Sequence, residues 1–147
     1  MKITEMNSGF LPDVEKIEAE CFVHPWSRQS LEEYLNNPNA FFYVASEDDG
    51  RAVGYIGTYI VCDEAYVTNV AVSEQYRRQG IGKQLVLRAT ENAQRNNASF
   101  ITLEVRVSNT AAVSLYKSLG FVLDGMRPGF YRDPDEDALI MTKRFQA

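Results

Sequence analysis

The segment Arg77-Arg78-Gln79-Gly80-Ile81-Gly82-Lys83 is the strongest local chemical signal in this 147-residue sequence. It follows a predicted strand and opens a predicted helix. Two glycines let the backbone bend tightly and expose its N–H groups, and the first turn of a helix adds unpaired donors with a partial positive charge. Such a turn suits a pyrophosphate, with Arg78 and Lys83 adding charge. An ordinary strand-to-helix turn with a solvated basic rim fits the same residues. Two common nucleotide loops are excluded: a dinucleotide fingerprint needs a third glycine where Leu85 stands, and a P-loop needs Gly-Lys-Ser/Thr after four spacers. The expected ligand is therefore a phosphorylated molecule held by main-chain amides, without a dedicated magnesium site.

Glu104 lies amid Ile101, Leu103, Val105 and Val107 on a segment that alternates as a strand. Alternation sends those apolar residues to one face and Thr102, Glu104 and Arg106 to the other. A carboxylate on a central strand is costly without a partner or a task. General base catalysis is one task, because partial desolvation raises a glutamate toward the range where it accepts protons well. A structural pair with Arg106, two residues on, is the other reading. Tyr116 follows Asn109 by seven residues and Ala112 by four, so the three share roughly one helical face. A tyrosine whose hydroxyl merely hydrogen-bonds fits that spacing too. His24, the only histidine, precedes Pro25 and Trp26 with no Ser or Cys partner nearby and receives no catalytic role. Cys21 and Cys62 lie far apart without metal-ligand spacing and read as small apolar residues in a reducing compartment; no metal is expected.

The elements that must position these residues follow from periodicity and punctuation. KITEM reads as a first strand. Val14, Ile17 and Cys21 mark a helix near 11–22, with Pro12 in its first turn. Ser27 caps a second helix that stops before Pro38. Residues 40–45 and 51–61 flank an Asp-Asp-Gly turn as a hairpin, and 65–73 is a further strand. Helix 81–96 carries Ile81, Leu85, Ala89 and Ala93 on one side, and strand 99–107 follows. Asn109 caps a short helix ending at Leu119, with Gly120 as its C′ residue. Strands near 121–126 and 138–145 complete a β-α-α-β-β-β-α-β-α-β-β order. That order predicts a mixed α/β fold with a mainly antiparallel sheet, in one domain spanning 1–147.

Bulk properties narrow the function classes. The net charge is -5, from 15 basic and 20 acidic residues, which argues against a nucleic-acid partner because phosphate backbones need a basic face. No segment approaches the ~18 apolar residues of a membrane span, and the N-terminus lacks a signal-like apolar stretch, so a cytoplasmic location is expected. Charge is uneven: Arg77, Arg78 and Lys83 cluster, while Asp133, Asp135, Glu136 and Asp137 gather elsewhere. One small anion and one cationic partner would satisfy both patches.

The turn at 77–82 resembles the Arg/Gln-x-x-Gly-x-Gly/Ala cofactor loop of the GNAT acyl-CoA-dependent N-acetyltransferases. Pro25-Trp26-Ser27, Asn69-Val70-Ala71-Val72, Leu103-Glu104-Val105-Arg106, Ser108-Asn109, Leu115-Tyr116-x-x-x-Gly120-Phe121 and Glu136-Asp137-Ala138-x-x-Met141 resemble, in order, the RimI-type ribosomal-protein alanine N-acetyltransferases of that superfamily. The resemblance covers nearly the whole chain. The family's usual tyrosine pair before the acidic motif stands here as Phe130-Tyr131.

The resemblance implies acetyl-CoA as cosubstrate and a sheet splayed between the strands at 65–73 and 99–107, where the thioester enters. It implies that Val70, Ala71 and Val72 offer main-chain groups to the pantetheine arm, that residues 77–83 hold the pyrophosphate, and that Asn109 contacts the arm. For Val70 and Val72, core packing is the competing reading. Glu104 would act as base and Tyr116 would protonate the departing thiolate. Trp26, Tyr131 and the acids at 133–137 would border the acceptor entrance, although Trp26 equally suits a staple between helices. Neither cysteine falls in these motifs, so direct amine attack without an acyl-enzyme is expected.

An α-amino group titrates near ~7.8 and lysine near ~10.4, so neutralising lysine at pH 7 costs about 3.5 kcal/mol more. That difference favours a protein N-terminus, and the acidic surface favours a basic acceptor such as a ribosomal protein. A lysine or small-amine acetyltransferase using the same cofactor site is the second reading. A non-catalytic CoA-binding or partner-docking module is the third.

Overall fold

The computed structural model describes residues 1–145; positions 146 and 147 of the expected 1–147 unit lie outside the described residues. The strands are β1 (Lys2–Glu5), β2 (Ala40–Ser46), β3 (Ala52–Val61), β4 (Glu64–Val72), β5 (Phe100–Arg106), β6 (Val122–Tyr131) and β7 (Glu136–Arg144). The helices are α1 (Leu11–Cys21), α2 (Arg28–Leu35), α3 (Ile81–Arg95) and α4 (Thr110–Ser118). Seven strands form one sheet in the order β1-β2-β3-β4-β5-β7-β6. Among the described strand pairs only β4 and β5 run parallel, so the sheet is the mainly antiparallel one the element order predicts.

Strand alternation divides the core between two layers of helix. On β2, Phe42 and Val44 pack with Leu11, Val14 and Ile17 of α1 and Leu31 of α2, whereas Tyr43 and Ala45 belong to the opposite cluster with α3. Helix α3 buries Ile81, Leu85, Ala89 and Ala93 at 3% exposure or less, the same stripe its spacing predicts. On β5, Ile101, Leu103 and Val105 join that cluster. Val107 does not: it lies past the strand end and is exposed.

Two irregularities shape the site. The parallel β4–β5 ladder consists of Glu64↔Phe100, Ala65↔Ile101 and Tyr66↔Thr102; beyond it the strands continue without pairing to each other. This is the expected splay. On its other side β4 pairs with β3, and there Gly57↔Asn69 is followed by Thr58↔Val67, leaving Thr68 as an extra, bulged residue. A side chain at Gly57 is excluded, because a β-carbon there would sit 2.5 Å from the Phe42 ring and 2.8 Å from Thr68 Oγ1. The bulge thus bends β4 where it leaves β5. Among the described residues no helix is long and apolar enough to cross a membrane.

Candidate active site

At the end of β4 the chain turns into α3 through the glycine-bearing segment. Gly80 takes φ +79° as the N-cap and Arg78 takes φ +64°, so the bend uses two left-handed residues. The first intrahelical bond runs from Gln84 N to Gly80 O, which leaves the amides of Ile81, Gly82 and Lys83 without helical acceptors. Arg78 and Lys83 are exposed beside them. A β-carbon on Gly82 would meet Leu115 and Val72 at 3.9 Å, ordinary van der Waals contact, so the first turn of α3 lies beside the end of β4 and α4. Free amides and two cations suit the diphosphate of a coenzyme A thioester.

Arg77 is placed differently from its neighbours. Its Nε donates to Val72 O at 2.9 Å and its Nη2 to Cys21 Sγ at 3.3 Å. Arg77 therefore fastens the end of β4 to α1, and burial pushes the Cys21 thiol up from its ordinary value. Side chains of Val70 and Val72 pack on the α3 cluster while Ala71 packs on the α1 cluster. Packing and a main-chain binding role are compatible here, because the β4 edge past Tyr66 faces the gap.

Within the gap lies a cleft of ≈730 Å³ bounded by β4, β5, α4, the α1–α2 loop and the β6–β7 loop. Glu104 is on its wall with a side chain 7% exposed. Tyr66 Oη donates to Glu104 Oε2 at 2.5 Å, and Arg127 Nε lies 3.2 Å from Oε1. Burial, reinforced by the adjacent carboxylate, pushes the Tyr66 phenol well above the ordinary tyrosine range. The alternative Glu104–Arg106 pair is not formed. Arg106 turns instead to Glu136 at 3.2 Å, because the β6–β7 connection passes over the end of β5.

Tyr116 reaches the same cleft from α4. Its ring packs on Phe121 at 5.8 Å, it is 6% exposed, and its hydroxyl has no hydrogen-bond partner among the described residues. Burial first, and Tyr131 second, push its phenol up to about 12. Helix α4 is held at both ends. Asn109 Oδ1 accepts from Ala112 N at 3.2 Å as an N-cap, and beyond Leu119 the amides of Gly120 and Phe121 return to the carbonyls of Lys117 and Tyr116. Asn109 Nδ2 remains without a partner among the described residues, and the residue lines the cleft.

The expected acceptor side is met only partly. Tyr131 lines the cleft, its phenol pushed up to about 12 by burial and then by Glu104. Trp26 is not brought to it: the indole stacks on Tyr34 at 4.5 Å and packs near Phe42, as a staple would. The loop wall is made by Phe22, Val23 and His24, with His24 Nε2 bonded to Asp133 Oδ2 across the mouth.

The α1–α2 loop is anchored by Glu18. That side chain is 1% exposed, accepts from Trp26 N, Tyr55 Oη and Asn69 Nδ2, and is held protonated more readily than usual by burial. Spacing along the chain carries no sign of Tyr66, Arg127, Phe22 or Glu18. Their relation to the site is created by strand register and loop packing. Only the strand parity of Glu104 could have pointed to Tyr66, through the β4–β5 neighbour Thr102.

A strand that parts from its neighbour beside a helix end with free amides is the arrangement that suits transfer of acyl groups from coenzyme A to amines. The chain belongs to the acetyltransferase (GNAT) family, whose pattern matches residues 11–121. Acetyl-CoA is the family's acyl donor, as the resemblance implies. The chain is 44% identical over 140 residues to a putative ribosomal protein bS18-alanine N-acetyltransferase of Bacillus subtilis, covering 95% of this chain and 92% of that one. It is 33% identical to the corresponding Escherichia coli enzyme, covering 95% and 94%. The crystal structure of the Escherichia coli ribosomal-protein-S18-alanine N-acetyltransferase superposes with a TM-score of 0.90 at 30% identity, over 99% of this chain and 94% of that one.

Proposed function

We propose that this chain is an N-terminal acetyltransferase whose acceptor is the α-amino group of a ribosomal-protein alanine, acting in the cytoplasm with residues 1–147 as one catalytic unit. The observation that carries this reading is the convergence of a buried carboxylate, Glu104, and an unpartnered phenol, Tyr116, on one cleft at the point where β4 and β5 separate. The names of the bacterial relatives support the acceptor.

In the proposed reaction the neutral amine attacks the thioester carbonyl directly, so a C–N bond forms as the C–S bond breaks. Glu104 takes the proton that the nitrogen loses. Tyr116 faces the departing sulfur. A phenol near 12 transfers its proton to a thiolate only uphill, so the part that suits Tyr116 is a hydrogen bond to the developing negative charge. The thiolate then recovers its proton from Glu104 through water. Val70, Ala71, Val72, Asn109 and residues 78–83 hold the donor, Arg77 acts through the end of β4, and Tyr131 borders the acceptor.

Incubation with acetyl-CoA and either an Ala-starting basic peptide or its N-blocked, lysine-bearing counterpart tests the proposal through release of free CoA thiol. Release with the first peptide alone is expected. Release with the second peptide alone favours the lysine reading. Thermal stabilisation by acetyl-CoA without turnover favours a binding module.

A further inference from the structure

We propose that Arg106 is a positioning residue that fixes the acceptor side of the cleft, and so sets the affinity for the acceptor peptide independently of the acetyl donor. The inference rests on the proposed acceptor reading and extends it to a residue with no place in the chemistry itself.

One guanidinium gathers the whole β6–β7 connection. Its Nη1 donates to Pro134 O at 2.9 Å and pairs with Glu136 Oε1 at 3.2 Å, while its Nη2 donates to Arg132 O at 3.0 Å. The Tyr131 ring lies beneath it, 4.4 Å from the guanidinium carbon. Carbonyl groups of two loop residues, a carboxylate at the start of β7 and an aromatic face at the end of β6 thus share one anchor on central strand β5. The other oxygen of Glu136 accepts from Ser108 N at 2.6 Å, one residue before the N-cap of the helix that carries Tyr116. Loop and helix are referenced to the same carboxylate.

Tyr131, Arg132, Asp133 and Pro134 all line the cleft, so a shift of this loop moves the wall met by the acceptor. The β4 and α3 parts of the donor side have no contact with the anchor among the described hydrogen bonds; Asn109 meets it only through the main chain, its N–H donating to Arg106 O at 3.0 Å, a bond that a change of the Arg106 side chain leaves in place. Lysine cannot replace this side chain, because a single ammonium offers neither the planar fork nor the flat face that lies on Tyr131.

Steady-state kinetics of R106K and E136Q, with acetyl-CoA affinity measured by calorimetry, provide the test. R106K is expected to raise the peptide KM roughly ten-fold while kcat at saturating peptide and the acetyl-CoA Kd stay within about two-fold; E136Q is expected to move in the same direction. An unchanged peptide KM in folded R106K overturns the proposal. So does an acetyl-CoA Kd that rises in step with KM, since that marks general loosening. If the wild-type protein binds acetyl-CoA but acetylates no peptide, the proposed function fails on its own. Hydrogen exchange then decides the anchor: faster exchange at 131–136 in R106K, with α3 unchanged, supports it, and unchanged exchange at 131–136 overturns it.

Discussion

Glu104 and Tyr116 separate by role under substitution. Glu104→Gln keeps the shape and the Tyr66 hydrogen bond but removes the proposed proton acceptor, so kcat is expected to fall by roughly 10²–10⁴ with acetyl-CoA binding intact. Tyr116→Phe removes the proposed donor to the leaving sulfur and is expected to lower kcat by roughly 10²–10³. Full activity in either variant, measured by CoA thiol release, removes that residue from the chemistry. The raised phenols also make a prediction for pH. Tyr116 and Tyr131 ionise near 12 in the folded chain against an ordinary value near 10, so the folded state binds those protons more tightly. Their contribution to stability is complete below about pH 10 and is lost as pH climbs to about 12, which alkaline unfolding of Tyr116→Phe beside wild type will show as a shallower decline. Tyr116 stands out only through the family resemblance, whereas Glu104 is legible by itself because a carboxylate among aliphatic neighbours on a strand is anomalous. Its partners were not, because Tyr66 and Arg127 reach Glu104 from strands 38 and 23 residues away in the chain.

Elements were legible where local pattern and tertiary packing agree. The α3 stripe, the Ser27 and Asn109 caps and the Gly120 terminus lie where spacing puts them. Strand β6 differs: the sequence suggests an end near residue 126, ahead of Pro128 and Gly129, yet the strand continues to Tyr131. β6 is the outer strand of the sheet, where a proline without an N–H leaves no inner ladder bond unmade, and the register slips between Arg127 and Tyr131 to absorb it. The first turn of α3 is also testable at this scale. Gly82→Ala places a β-carbon 3.9 Å from Leu115 and Val72, ordinary van der Waals contact, so thermal stability should hold within a few degrees while acetyl-CoA affinity falls at least about ten-fold in calorimetry. Undiminished affinity would place the coenzyme arm elsewhere.

At the scale of the whole molecule, the sheet is two pieces joined along a short seam. β1–β4 form one antiparallel set, β5, β7 and β6 form another, and three parallel pairs from Glu64 to Tyr66 connect them. Under the proposed reading, a thioester seated in the opening touches both pieces and takes the place of the missing ladder. The empty protein should therefore hinge at this seam, and the donor should act as a stitch. Amide exchange along residues 67–72 is expected to slow when acetyl-CoA is added, ahead of any change in the strands at the far edges. If ordering of the seam comes first, an acceptor arriving before the donor meets a cleft whose two walls are not yet held at their working separation, and the two substrates bind in a compulsory sequence.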